Sequence, residues 1–122
     1  MDLGGIMRTN FRLFNEDEYL TMTKGDTVCF GMEIDGLNQP LDSAYFTCKK
    51  RPTDSETVFQ KTLGDGIMVV DEEYLTYSVR IAPEDTRDVE AGMYYYDLQI
   101  GVNDDIYTVL KGVLEIEQDV TF

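Results

Sequence analysis

The chain has 122 residues, 43% of them hydrophobic and 28% charged, the balance of one globular domain and not of a disordered segment. A net charge of −14 and a pI near 4.1 argue against a phosphate-binding surface, and with only ten Lys and Arg residues no nucleic-acid partner is expected. No apolar run is long enough for a transmembrane helix, and Met1 to Asn15 lacks the charged-then-apolar pattern of a secretory leader, so no membrane partner is expected either.

Alternation with period two dominates the chain. Residues 1–18 hold the apolar Phe11, Leu13 and Phe14 and read either as an N-terminal arm or as an extra edge strand; residues 19–122 read as one β domain. Tyr19 to Thr23 makes a short strand, closed by the turn residues Lys24-Gly25-Asp26. From Thr27 to Asp35, Val28, Phe30, Met32 and Ile34 share one face, and Cys29, Gly31, Glu33 and Asp35 the other, the mark of a half-buried strand. After a Gly-, Asn- and Pro-bearing loop, Ser43 to Arg51 points Ala44, Phe46 and Cys48 inward. Pro52 to Glu56 breaks that strand, and Thr57 to Leu63 forms the next.

Gly64-Asp65-Gly66 is a strong turn signal, because glycine accepts positive φ. Ile67 to Val70 is a short strand, Asp71-Glu72-Glu73 turns the chain, and Tyr74 to Ile81 points Leu75, Tyr77, Val79 and Ile81 inward. Ala82 to Glu90 is the one helical candidate, expected to make at most one short turn: Pro83 suits a first helical position, and Glu84 and Asp85 suit the positive end of the helix dipole. Met93 to Val102 turns Tyr94, Tyr96, Leu98, Ile100 and Val102 to one side. Asn103-Asp104-Asp105 makes a tight hairpin, Ile106 to Leu110 returns, Gly112 marks a bulge, and Val113 to Glu117 closes the sheet. Seven to nine short antiparallel strands at even spacing predict a β-sandwich or a small barrel.

The chain contains no histidine, which removes Ser-His and Cys-His nucleophiles and the commonest metal ligand. No glycine-rich loop joins a strand to a helix, so no phosphate cradle is expected. Twenty-four acidic residues make any one carboxylate pair uninformative, and a glycosidase needs two in a cleft with separated pKa values. Asn103-Asp104-Asp105 and Asp71-Glu72-Glu73 offer clustered oxygens, but without the ligand spacing of a calcium loop; turn geometry explains them better. No catalytic, cofactor-binding or metal-binding residue is therefore assigned, and no enzyme activity or cofactor is expected. Cys29 and Cys48 fall on opposite strand faces, which argues against a disulfide and for a reducing compartment. On outward parity Tyr45, Tyr74 and Tyr95 form either an exposed aromatic row, suited to a sugar or a protein partner, or cross-strand pairs that stabilise a sheet face.

Tyr94 follows the acidic and small-residue stretch Glu90-Ala91-Gly92, the place of the tyrosine corner in immunoglobulin-like sandwiches. MTKGDT (Met22 to Thr27) followed by FGMEIDG, then APEDT (Ala82 to Thr86), AGMYYYDLQIG (Ala91 to Gly101) and LKGVLEIEQDVT (Leu110 to Thr121) together resemble small structural proteins of tailed phages and prophages. Over roughly Tyr19 to Thr121 the chain is similar to the N-terminal immunoglobulin-like domain of the phage baseplate upper protein family. The resemblance implies an immunoglobulin-like sandwich in a tail or baseplate, assembling with other virion proteins or copies of itself as a homo-oligomer or part of a larger assembly. Such a protein is made in the bacterial host cytoplasm and ends in the virion. Larger family members continue beyond the position of Phe122, so the resemblance implies assembly or adaptor work and not host recognition. A carbohydrate- or peptide-binding immunoglobulin-like module is the alternative.

Overall fold

Period-two segments fold as strands because each exposes one face to water and buries the other. In the computed structural model, which describes residues 6–10, 18–35, 38–71 and 76–120, they give nine strands and one helical turn. These are β1 (Ile6–Asn10), β2 (Glu18–Thr23), β3 (Val28–Asp35), β4 (Ser43–Lys49), β5 (Phe59–Leu63), β6 (Gly66–Asp71), β7 (Thr76–Ile81), α1 (Pro83–Thr86), β8 (Gly92–Val102) and β9 (Asp105–Glu117).

The strands hydrogen-bond in the order β1-β3-β7-β6-β5-β4-β8-β9-β2. The ribbon is thinnest at β5–β6, where only Thr62 and Leu63 pair with Gly66 and Ile67, and where Gly64 and Gly66 take φ of 90° and 98°. On either side of that joint lie two layers, β1-β3-β7-β6 and β5-β4-β8-β9-β2, that face each other. Phe30 of β3 meets Phe46 of β4 edge to face at 5.7 Å although the two strands are not neighbours in the order. The fold is an all-β, immunoglobulin-like sandwich. The strands are not antiparallel throughout as expected: the two outer strands run parallel to their partners, β1 to β3 and β2 to β9, and so does the short β5–β6 ladder.

Phe46 organises the core. It is fully buried and also stacks on Tyr96 at 5.4 Å and on Phe59 at 6.3 Å. Antibody domains fill this zone with a disulfide against a tryptophan; here aromatic rings from β3, β4, β5 and β8 do so. Cys29 and Cys48 are both free thiols, on opposite faces as parity predicts: Cys48 is buried with the core, and Cys29 is half-buried opposite Arg80. Burial pushes the Cys48 thiol up to about 12.

Polar ties fix the connections. The Tyr94 hydroxyl donates to the Glu90 carbonyl at 2.5 Å, which makes it a tyrosine corner. In α1 the Asp85 carboxylate accepts the Ala82 N–H at 2.7 Å and pairs with Lys61 Nζ at 2.5 Å, latching β5 to the turn. The buried Thr86 hydroxyl accepts the Gly25 N–H at 2.8 Å, and the Tyr77 hydroxyl accepts the Leu41 N–H at 2.9 Å.

Several expectations are corrected. The bulge lies opposite Leu98 and Gln99, at Val109 and Leu110, while Gly112 sits in regular register with Tyr96. Both bulge residues are buried, so the extra residue is absorbed by turning two adjacent side chains inward. The last two strand pieces are one 13-residue strand, β9. The helical piece is the single short turn expected within Ala82 to Glu90: it covers Pro83–Thr86, and the Val89 N–H bonds back to Thr86 in a further turn. β4 stops at Lys49, because the Arg51 carbonyl is taken by the Asp54 N–H; β5 starts at Phe59. Tyr74, Leu75, Glu72 and Glu73 and most of residues 1–18 lie outside the described residues.

Candidate functional site

The outer face of β5-β4-β8-β9-β2 carries the side chains that the core does not use. Register places them in lateral rows. Tyr19 of β2 pairs with Val113 of β9, Val113 with Tyr95 of β8, and Tyr95 with Lys49 of β4. One row along lie Thr21, Glu115 and Met93; on the other side lie Lys111, Asp97, Thr47 and Gln60. Beyond these, Thr108, Gln99, Tyr45 and Thr62 form a further row.

Large side chains stand in solvent on this face: Tyr19 is 56% exposed, Met93 49%, Tyr95 41% and Tyr45 40%. The Tyr19 hydroxyl donates to Glu115 Oε1 and lies 3.7 Å from Met93 Sδ, so Tyr19 and Met93 touch across β9. The Glu115 carboxylate raises the Tyr19 phenol pKa, first by accepting that hydrogen bond. Gln60 Nε2 donates to Thr47 Oγ1 at 3.0 Å.

Beside Tyr95 the face opens into a cleft of about 340 Å³, walled by Pro52, Tyr95 and Val113 and edged by Lys49, Lys111 and Asp97. Asp97 is half-buried; burial raises its pKa, and the Lys49 ammonium partly opposes that shift. The cleft therefore offers two cations against one carboxylate, together with an aromatic wall. Lys50 and Arg51 follow directly in the chain, with Lys50 Nζ 5.4 Å from the Tyr94 ring and Arg51 paired to Asp54 at 3.2 Å. On a chain of charge −14 this is a local concentration of positive groups.

At the other end of β8 and β9 the hairpin turns on Asn103 and Asp104, with φ of 52° and 67°, the left-handed pair of a type I′ turn. Asn103 forms a reciprocal amide pair with Gln39 at 2.9 and 3.2 Å, and its N–H is accepted by the Asp42 carboxylate at 2.9 Å. The turn reading of Asn103-Asp104-Asp105 thus has direct geometric support. The tip projects Asp104, Asp105 and Ile106 into solvent.

Of the tyrosine row, Tyr45 and Tyr95 share the outer face and are exposed, but four positions of β4 separate their registers, roughly 13 Å along the strand. They make no contiguous row, and Tyr74 lies outside the described residues. The neighbours of Tyr95 on this face are Val113 and, one strand further, Tyr19. Tyr19 and Met93 are the residues that sequence reasoning missed. Their outward parity is visible beside the inward Met22 and Tyr94, but not the register that brings them together.

No protein-family model and no curated protein matches the chain. Solved structures match in fold. An AA10 lytic polysaccharide monooxygenase from Streptomyces lividans aligns over 81% of this chain with a TM-score of 0.52 at 9% identity, and the chain spans only 59% of that protein's length. The NK cell receptor NKp44 aligns over 84% of this chain and 100% of its own, with a TM-score of 0.49 and 12% identity. The N-terminal domain of phage TP901-1 ORF48 aligns over 93% of this chain and 99% of its own, with a TM-score of 0.48 and 8% identity. At 9% identity the likeness to the monooxygenase is one of fold alone.

Proposed function

We propose that the chain is a non-enzymatic structural protein of a phage or prophage virion, a tail or baseplate component that joins its neighbours through the outer face of β5-β4-β8-β9-β2. One observation carries the reading: Tyr19, Val113 and Tyr95 form a row across three strands with Met93 packed beside it, and the tyrosines and Met93 stand in solvent. Tyrosine and methionine are enriched in the buried centres of protein interfaces, and tyrosine supplies large contact area at small entropic cost. The phage setting rests on the sequence motifs, MTKGDT and AGMYYYDLQIG above all. The chain has no histidine, and the cleft on this face is lined by one carboxylate, Asp97, and not a pair, which supports binding over catalysis without a cofactor. Two free thiols suit assembly in the host cytoplasm before incorporation into the virion.

Mass spectrometry of gradient-purified particles tests this directly. The native chain is expected in the particles at fixed stoichiometry, and the triple variant Tyr19→Ser, Met93→Ser, Tyr95→Ser is expected to fold yet be missing from them. Particles without the native chain would overturn the reading.

The cleft beside Tyr95 is what favours the second reading, a carbohydrate- or peptide-binding module. A glycan array that is blank for the native chain removes its carbohydrate form.

A further inference from the structure

We infer that the Lys49–Lys111 cleft is a socket for the β8–β9 hairpin tip of a second copy of this chain, so that copies join head to tail. This deepens the proposed assembly role and rests on it, since it names the partner that the outer face would meet.

The two surfaces match in charge and in polarity. The socket is lined by Lys49, Lys111 and the half-buried Asp97, beside the apolar walls of Tyr95 and Val113. The tip presents the carboxylates of Asp104 and Asp105 and, next to them, Ile106, which at 63% is among the most exposed large apolar side chains described. Carboxylates meet ammonium groups while Ile106 meets the Tyr95 wall. The cleft volume of about 340 Å³ is at the low end of the range of small-ligand pockets, about 300–1,000 Å³.

The tip is also rigid. The type I′ turn fixes the backbone, and the Asn103–Gln39 and Asn103–Asp42 bonds anchor it to the loop beside it, so little order is lost when it docks.

A chain cannot fill its own socket. Asp105 and Lys111 lie on the same strand, six positions and roughly 20 Å apart, and paired strands do not fold back over such a span. The occupant comes from another molecule, and a second copy brings an identical acidic tip. Because socket and tip are different patches, the contact is heterologous and generates a ring or a filament, not a closed two-fold dimer. The net charge of −14 opposes random encounter of copies, and this local complementarity offsets it where socket and tip meet.

Charge exchange between two variants tests it. Socket variant Lys49→Glu/Lys111→Glu and tip variant Asp104→Asn/Asp105→Lys are each examined alone and mixed, by sedimentation velocity; asparagine keeps the left-handed turn at position 104. The native chain is expected to associate, each variant alone to associate about tenfold or more weakly, and the mixture to recover association, since the acidic socket receives the basic tip. A native chain that stays monomeric at millimolar concentration overturns the inference, as does a native oligomer that both variants leave unchanged. So does a mixture no better than its components. If the chain is nevertheless found in particles and leaves them when the Tyr19, Met93 and Tyr95 variant is used, the assembly role stands and the head-to-tail contact alone falls.

Discussion

Removing one oxygen atom, by Tyr94→Phe, isolates the tie between β8 and the connection that precedes it. The ring stays buried against the core, and Lys50 Nζ keeps an aromatic face 5.4 Å away, so packing and the cation–π contact persist. What is lost is the hydrogen bond to the Glu90 carbonyl. A net intramolecular hydrogen bond contributes about 0.5–1.5 kcal/mol. The bond is only part-buried, so the full cost of an orphaned, wholly buried carbonyl does not arise. For 122 residues the unfolding entropy near the midpoint is about 0.26 kcal/mol/K, which turns 1 kcal/mol into a Tm decrease of about 4 °C. Differential scanning calorimetry and urea unfolding measure this, the latter with an unchanged m-value. Tyr45→Phe, on the exposed outer face, is the control and should change Tm by less than about 1 °C. Tyr94→Phe and Tyr45→Phe melting together would refute the corner as a stabilising contact. The alkaline limb gives a second readout. Burial, and then the Glu90 carboxylate, raise the folded-state pKa of Tyr94, so the stability tied to its neutral phenol is fully present below the unfolded value near 10 and is lost as pH rises through the folded value. Tyr94→Phe should lack that part of the alkaline destabilisation.

Three further outcomes follow from the same structure. Gly66→Ala places a Cβ at a φ of 98° and against the Lys61 stem, so it should cost about 1–3 kcal/mol in urea unfolding and loosen the Lys61–Asp85 pair; a neutral effect would contradict the assigned backbone at the β5–β6 joint. In thiol titration with an aromatic disulfide, the half-buried Cys29 should react first and Cys48, with its thiol pushed up to about 12, only as the domain unfolds; two equally fast thiols would contradict this. Lys49→Met removes the cation that holds the Asp97 pKa down against burial, so the Asp97 carboxyl should titrate at higher pH by carbon-13 NMR, and an unmoved midpoint would separate the two groups.

Much of the fold was legible because half-buried strands write their burial into the chain. Val28, Phe30, Met32 and Ile34, and Tyr94 through Val102 on alternate positions, are all buried as their spacing predicts. The corner at Tyr94 and the turn at Asn103 and Asp104 were legible because each depends on a few adjacent residues. Glycine alone points to a bulge at Gly112, but the break in alternation at Val109-Leu110, where two neighbouring apolar residues both turn inward, is the signal that marks it. The candidate face was only half legible. Parity put Tyr45 and Tyr95 outside, but their separation, and the meeting of Tyr95 with Val113 and Tyr19, depend on long-range register, above all the parallel pairing of β2 with β9. No local pattern encodes that pairing. The same holds for the parallel placing of β1 beside β3, and for the cleft, whose Lys49, Asp97 and Lys111 come from three strands.

The claim that the outer face of β5-β4-β8-β9-β2 is the assembly surface is tested most directly by a photo-crosslinking residue placed at Tyr95 and, in a separate chain, at Arg80, which is exposed on the opposite layer. In intact particles, irradiation is expected to join position 95 to another virion protein or to a second copy and to leave position 80 unjoined. Crosslinks from position 80 with none from position 95 would contradict the account.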